Sequence, residues 1–93
     1  MTMTLKVQKD WVDKISAVVH LDNTARPQWV SKHYNWSAYR ILSEFHKITG
    51  IPALINTSFN KHEEPIVCTP KDAISSWKNG CIDVLAIGNY LVC

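Results

Sequence analysis

The segment from Asn35 to Gly50 constrains the fold of this chain more than any other stretch. Ala38, Ile41, Leu42, Phe45 and Ile48 recur at helical spacing, while Arg40, Ser43 and Lys47 fall on the opposite side. Asn35 ahead of the stripe can accept hydrogen bonds from the free N–H groups of a first turn, and Gly50 behind it can take the left-handed conformation that ends a helix. Trp36 lies off the stripe and needs a neighbour of its own. A second, shorter helix is predicted from about Pro70 to Asn79, closed by Gly80. Thr69 supplies a hydroxyl at the N-cap, Pro70 the first helical position, and Asp72 a carboxylate where the helix dipole favours it. Ala73, Ile74 and Trp77 are its expected buried face.

Four or five short strands are expected around these helices. Leu5–Gln8 alternates apolar and polar residues, as a half-exposed strand does, and Ala17–His20 and Pro52–Ile55 read as more deeply buried. Gln28–Val30 is a further short candidate. Ile82–Ile87 and Tyr90–Val92 suggest a terminal hairpin turning at Gly88-Asn89. The expected fold class is α/β (α+β): a small mixed sheet carrying two main helices.

A chain of 93 residues makes one domain or a piece of one, and at this size folding hides only about two-thirds of the unfolded surface. A net charge of +2, with eight lysines spread along the chain and two arginines, offers no basic stripe, so nucleic acid is not an expected partner. No run of about 18 apolar residues suggests a membrane span. The start, Met1 to Lys6, lacks the features of a secretory signal, and a cytoplasmic location is expected by default. Cys68, Cys81 and Cys93 fit neither a disulfide framework nor a CxxC metal site, and are expected to be reduced, buried small hydrophobes. His20, His33, His46 and His62 form no metal-binding pair, so no metal is expected in this chain.

Two polar loops between buried elements are the candidate sites. In the first, His20 to Gln28, Asp22-Asn23-Thr24 can turn tightly because Asn tolerates positive φ and Asp and Thr can bond the local backbone. Arg26 follows, held extended by Pro27. A guanidinium there suits a phosphate or carboxylate; the alternative is a surface arginine paired with Asp22. In the second loop, Asn56, Thr57, Ser58 and Asn60 supply two amides and two hydroxyls just beyond the apolar run Ala53–Ile55, where ligands commonly dock in α/β sheets. The alternative is a polar turn that satisfies its own backbone. No catalytic triad is recognisable: Ser58 and His62 lack an elbow motif and an acid partner, and Glu63-Glu64 reads as a solvated turn. A glycine-rich phosphate loop is excluded, since Gly50, Gly80 and Gly88 are scattered.

The spaced pattern His20-x-Asp22-x-Thr24-x-Arg26-x-Gln28, then Leu54-Ile55-Asn56-Thr57-Ser58-Phe59-Asn60, then Glu64-Pro65-Ile66-Val67-Cys68-Thr69-Pro70-x-Asp72-Ala73 resembles the O-carbamoyltransferase family of nodulation-factor and antibiotic biosynthesis. The likeness runs from about Leu5 to Val92. It implies a parent protein several times longer, in which a metal-binding N-terminal domain moves a carbamoyl group to a hydroxyl. A YrdC-like C-terminal domain makes carbamoyl-adenylate from carbamoyl phosphate and ATP, and residues 1–93 resemble the later part of that domain as a single module. By this resemblance Arg26 binds phosphate, Ser58 and Asn60 contact the nucleotide and activated carbamate, Asn56 and Thr57 support them, and Asp22 orients Arg26. ATP or carbamoyl-adenylate is the implied ligand.

The departures set the expectations for activity. The family's upstream Lys-x-x-Arg segment and its metal-binding domain are not in this chain, and no catalytic residue is assigned within it. Glu63 and Asn23 stand where the family usually has glycine. The module is expected to be inactive alone and to act as a homodimer or with carbamoyltransferase domains of another chain. A non-catalytic binding or oligomerisation module derived from such an enzyme is the alternative.

Overall fold

The computed structural model describes residues 3–93. They form two compact units, one ending at Ile55 and the other running from Asn56 to Cys93. Two main helices and two small antiparallel sheets make up a mixed α/β architecture, in keeping with the expected class. The strands pair as two separate two-stranded ladders.

In the first unit, strand β1 (Leu5–Lys6) pairs antiparallel with β2 (Thr24–Ala25), Leu5 opposite Ala25 and Lys6 opposite Thr24. Val7 N–H extends the contact by donating to Asn23 O at 2.9 Å. The connection between them holds one short helix, α1 (Lys9–Val12), and a 3-10 turn at Ser16–Val18. Helix α2 (Trp36–Thr49) follows. Asn35 Oδ1 accepts from Ala38 N–H at 3.0 Å, and Gly50 sits at φ +74 with its N–H on His46 O at 2.8 Å. Both ends are thus closed by the residues the sequence marks for that purpose.

The second unit is built on α3 (Pro70–Lys78) and the hairpin β3 (Leu85–Ile87) and β4 (Tyr90–Val92). Leu85 faces Val92, Ala86 faces Leu91 and Ile87 faces Tyr90. Gly88 turns the chain at φ +56, a left-handed value that glycine takes without a Cβ clash. Thr69 and Asp72 form a reciprocal capping box at the start of α3. Helix α3 packs on β3, with Ala73, Ser76 and Leu85 buried.

Several expected strands are absent. Ala17–His20 contains the end of the 3-10 turn rather than a strand, and neither Pro52–Ile55 nor Gln28–Val30 joins a ladder. Apolar composition favours burial, but a strand also needs a neighbouring edge to receive its N–H and C=O groups. Conversely, Thr24–Ala25, inside the first candidate loop, is a strand because β1 supplies that edge. The stripe on α2 is only partly covered: Ala38, Leu42 and Phe45 are half-buried, whereas Ile41 is 64% and Ile48 83% exposed. On α3, Ala73 is buried and Trp77 half-buried, but Ile74 is exposed. The cysteines are free thiols, yet Cys68, Cys81 and Cys93 are all exposed rather than buried. No helix among the described residues is long and apolar enough to cross a membrane.

Candidate functional site

The first loop is held by its own side chains. Asn23 adopts φ +61, the left-handed turn that asparagine tolerates. His20 N–H donates to Thr24 O at 2.7 Å and Asn23 N–H to His20 O at 2.9 Å, closing the turn. Asp22 Oδ1 accepts from both the Thr24 amide (3.1 Å) and the Thr24 hydroxyl (2.7 Å). Because that hydroxyl gives its single proton to Asp22, its bond with His20 Nδ1 at 3.0 Å requires the imidazole to donate from Nδ1. The Thr24 hydroxyl first, and its amide second, lower the Asp22 pKa below the usual aspartate value.

These bonds commit Asp22 to the turn itself. Its carboxylate serves Thr24, and among the described residues no salt bridge joins it to Arg26. Arg26 follows directly on β2 and is exposed. His20, Asp22 and Thr24 therefore brace the turn from which Arg26 projects.

The second loop lies in the other unit. Asn56, Thr57 and Ser58 are exposed, and Phe59 and Asn60 are half-buried. Asn60 Nδ2 donates to Lys61 O at 3.0 Å and to Glu64 O at 3.2 Å, so both amide protons fasten the following turn. Glu64 N–H donates to Lys61 O at 3.1 Å, and Val67 N–H returns to Phe59 O at 2.9 Å. Within that turn Glu63 takes φ +65. A glutamate adopts this left-handed conformation at some cost in strain. Both donors of the Asn60 amide are therefore engaged.

A cleft of about 210 Å³ opens between this turn and α3, lined among others by Lys61, Glu64, Asp72, Ser75, Ser76 and Asn79. Sequence reasoning passed over it because its walls come from separate segments. The available signal was the polar group Ser75, Ser76 and Asn79 at the end of a helix whose apolar residues lie elsewhere. Asp72 within it is committed to the capping box: its Oδ2 accepts the Thr69 amide at 3.0 Å and the Thr69 hydroxyl at 2.7 Å. Among the described residues, no group of three His, Cys, Asp or Glu side chains could hold a metal ion.

The described residues define a small mixed α/β module with two main helices and two two-stranded antiparallel sheets. The family model described as carbamoyltransferase C-terminus matches residues 1–93, and the chain belongs to that family. Among relatives, an uncharacterised protein of Methanocaldococcus jannaschii is 45% identical over 92 residues, covering 99% of this chain and 18% of its own length. Nodulation protein NolNO of Sinorhizobium fredii is 38% identical over 92 residues, 99% of this chain and 14% of that protein. Nodulation protein U of Rhizobium tropici is 47% identical over 57 residues, 61% of this chain and 10% of that protein. The chain therefore spans less than a fifth of the length of these relatives.

Proposed function

We propose that this chain contributes to binding ATP and carbamoyl phosphate in a carbamoyltransferase, supporting carbamoyl-adenylate formation, and that it is inactive alone. The observation carrying this reading is that both family motif loops are braced by their own polar groups while Arg26 and Ser58 remain exposed. Making an acyl-adenylate requires two polyanions to be held together, so catalysis rests largely on placement and charge neutralisation. Arg26 pairs with phosphate through its planar fork of donors. Ser58 and the Oδ1 of Asn60 fix the nucleotide and carbamate groups, with Asn56 and Thr57 supporting them. Asp22 acts one step back, by fixing the turn before Arg26. The working form is a homodimer or an assembly with carbamoyltransferase domains of another chain, in the cytoplasm.

Isothermal titration with ATP, AMP and carbamoyl phosphate tests this reading. Saturable heat is expected with at least one of the three, weakened about tenfold or more in Arg26→Ala, the loss of a charge-assisted hydrogen bond. Absence of heat with every ligand, or an Arg26→Ala variant that binds as well as wild type, contradicts it. The exposed Ile41 and Ile48 favour a second reading, a non-catalytic oligomerisation module. Under that reading Arg26→Ala and Ser58→Ala alter nothing but stability.

A further inference from the structure

Between Gly50 and the polar loop that begins at Asn56, the chain runs through Ile51-Pro52-Ala53-Leu54-Ile55 without regular structure. Ile51 N–H donates to the Thr49 hydroxyl at 3.1 Å. Beyond it, no backbone N–H or C=O of residues 52–55 takes part in a hydrogen bond among the described residues. The side chains are uncovered as well: Leu54 is 44% and Ile55 61% exposed.

These two deficits together select what covers the segment. Burying Leu54 and Ile55 in an apolar groove would remove them from water, yet would strand their amides and carbonyls without partners. A neighbouring strand edge meets both needs, since it supplies donors and acceptors in its own plane and leaves side chains to pack above and below. Consecutive strand residues face opposite sides, so Leu54 and Ile55 would give both faces apolar character, as in the interior of a covered sheet. We infer that Pro52–Ile55 pairs with an edge strand supplied by carbamoyltransferase sequence beyond these 93 residues. The relatives carry the matched residues as less than a fifth of a longer chain. An edge held in the same assembly meets the segment at an effective concentration in the millimolar range, which a second copy in dilute solution does not reach. Asn56, Thr57 and Ser58 follow directly along the chain, so pairing also gives the start of that loop a fixed base. The inference stands on the backbone of residues 52–55 and not on the ligand roles proposed for Ser58 and Asn60.

Amide hydrogen exchange, measured without ligand on the 93-residue chain and on the full-length Methanocaldococcus jannaschii relative, tests the pairing. In the chain alone at low concentration, Ala53, Leu54 and Ile55 are expected to exchange at nearly unprotected rates. At the matched positions of the full-length relative, exchange should be slowed about tenfold or more. Leu54→Pro removes a donor that the chain alone does not use, so its helical circular dichroism and unfolding midpoint should stay unchanged. Proline at the matched position of the full-length relative should lower the midpoint, whereas valine, which suits a strand, should retain it. Equally fast exchange in both proteins overturns the pairing, as does an unchanged midpoint in the full-length proline variant. Protection already present in the chain alone overturns it too, and protection there that grows with concentration assigns the segment to a second copy instead. Because no ligand is added, failure of ATP or carbamoyl phosphate to bind leaves these outcomes untouched, and the two proposals fail separately.

Discussion

Glu63 occupies a backbone conformation that L side chains other than asparagine rarely adopt, at φ +65, and its neighbours explain why it stays there. Asn60 ties both sides of the turn through Lys61 O and Glu64 O, so the loop over-determines the residue between them. Removing the Cβ relieves the strain: Glu63→Gly should stabilise the chain by about 1 kcal/mol, read as a higher urea midpoint at unchanged slope. An unchanged or lower midpoint contradicts this. Asp72 offers a second residue-level prediction. The Thr69 hydroxyl first, and the Thr69 amide second, lower its folded pKa below the ordinary value of 3.8. A carboxylate depressed in the folded state contributes stability above its unfolded pKa and loses that contribution as pH falls through the folded one. Acid titration followed by circular dichroism should therefore show α3 weakening below about pH 4. Asp72→Asn should flatten that part of the curve; an identical acid profile in the variant removes Asp72 as its cause.

Helix boundaries depend on a few neighbouring residues, which is why both main helices were legible in the sequence. Asn35 and Gly50 bracket α2, and Thr69, Pro70 and Asp72 open α3, with each bond closing within four residues along the chain. Asn35→Ala should cost about 1 kcal/mol in thermal or urea unfolding, because Ala38 N–H loses its side-chain acceptor. A change much smaller than that would mean water replaces the cap fully. Strands obey a different logic. Ala17–His20 and Pro52–Ile55 have strand-like composition, but no edge among the described residues receives them. The terminal hairpin was legible because Gly88-Asn89 brings its own two strands together locally.

The chain as a whole combines two compact units with an unusual amount of exposed apolar surface. Leu21, Trp29, Tyr34 and Ile48 are each more than four-fifths exposed, and buried hydrophobic residues among those described are confined to Ala73 and Leu85. Apolar surface of this kind is removed from water by association. Light scattering over a rising concentration series should show self-association or binding of added carbamoyltransferase domains. Replacing Ile41 and Ile48 with lysine should reduce that association. A monomer at every concentration, with no partner bound, contradicts the proposed assembly.

Family, fold class, both helices, their caps and the terminal hairpin could be read from residue order alone, because each rests on side chains close together along the chain or on spaced motifs. The Asn23 turn was equally legible, since asparagine's tolerance of positive φ is a property of the residue. Folding settled three matters that no local pattern carries. Asp22 braces Thr24 instead of pairing with Arg26, the Asn60 donors fasten a turn, and Trp36 and Tyr39 stack beside two cations. Composition cannot rank such competing partners for one polar group; the partner is decided by which atoms the folded backbone brings within hydrogen-bonding distance.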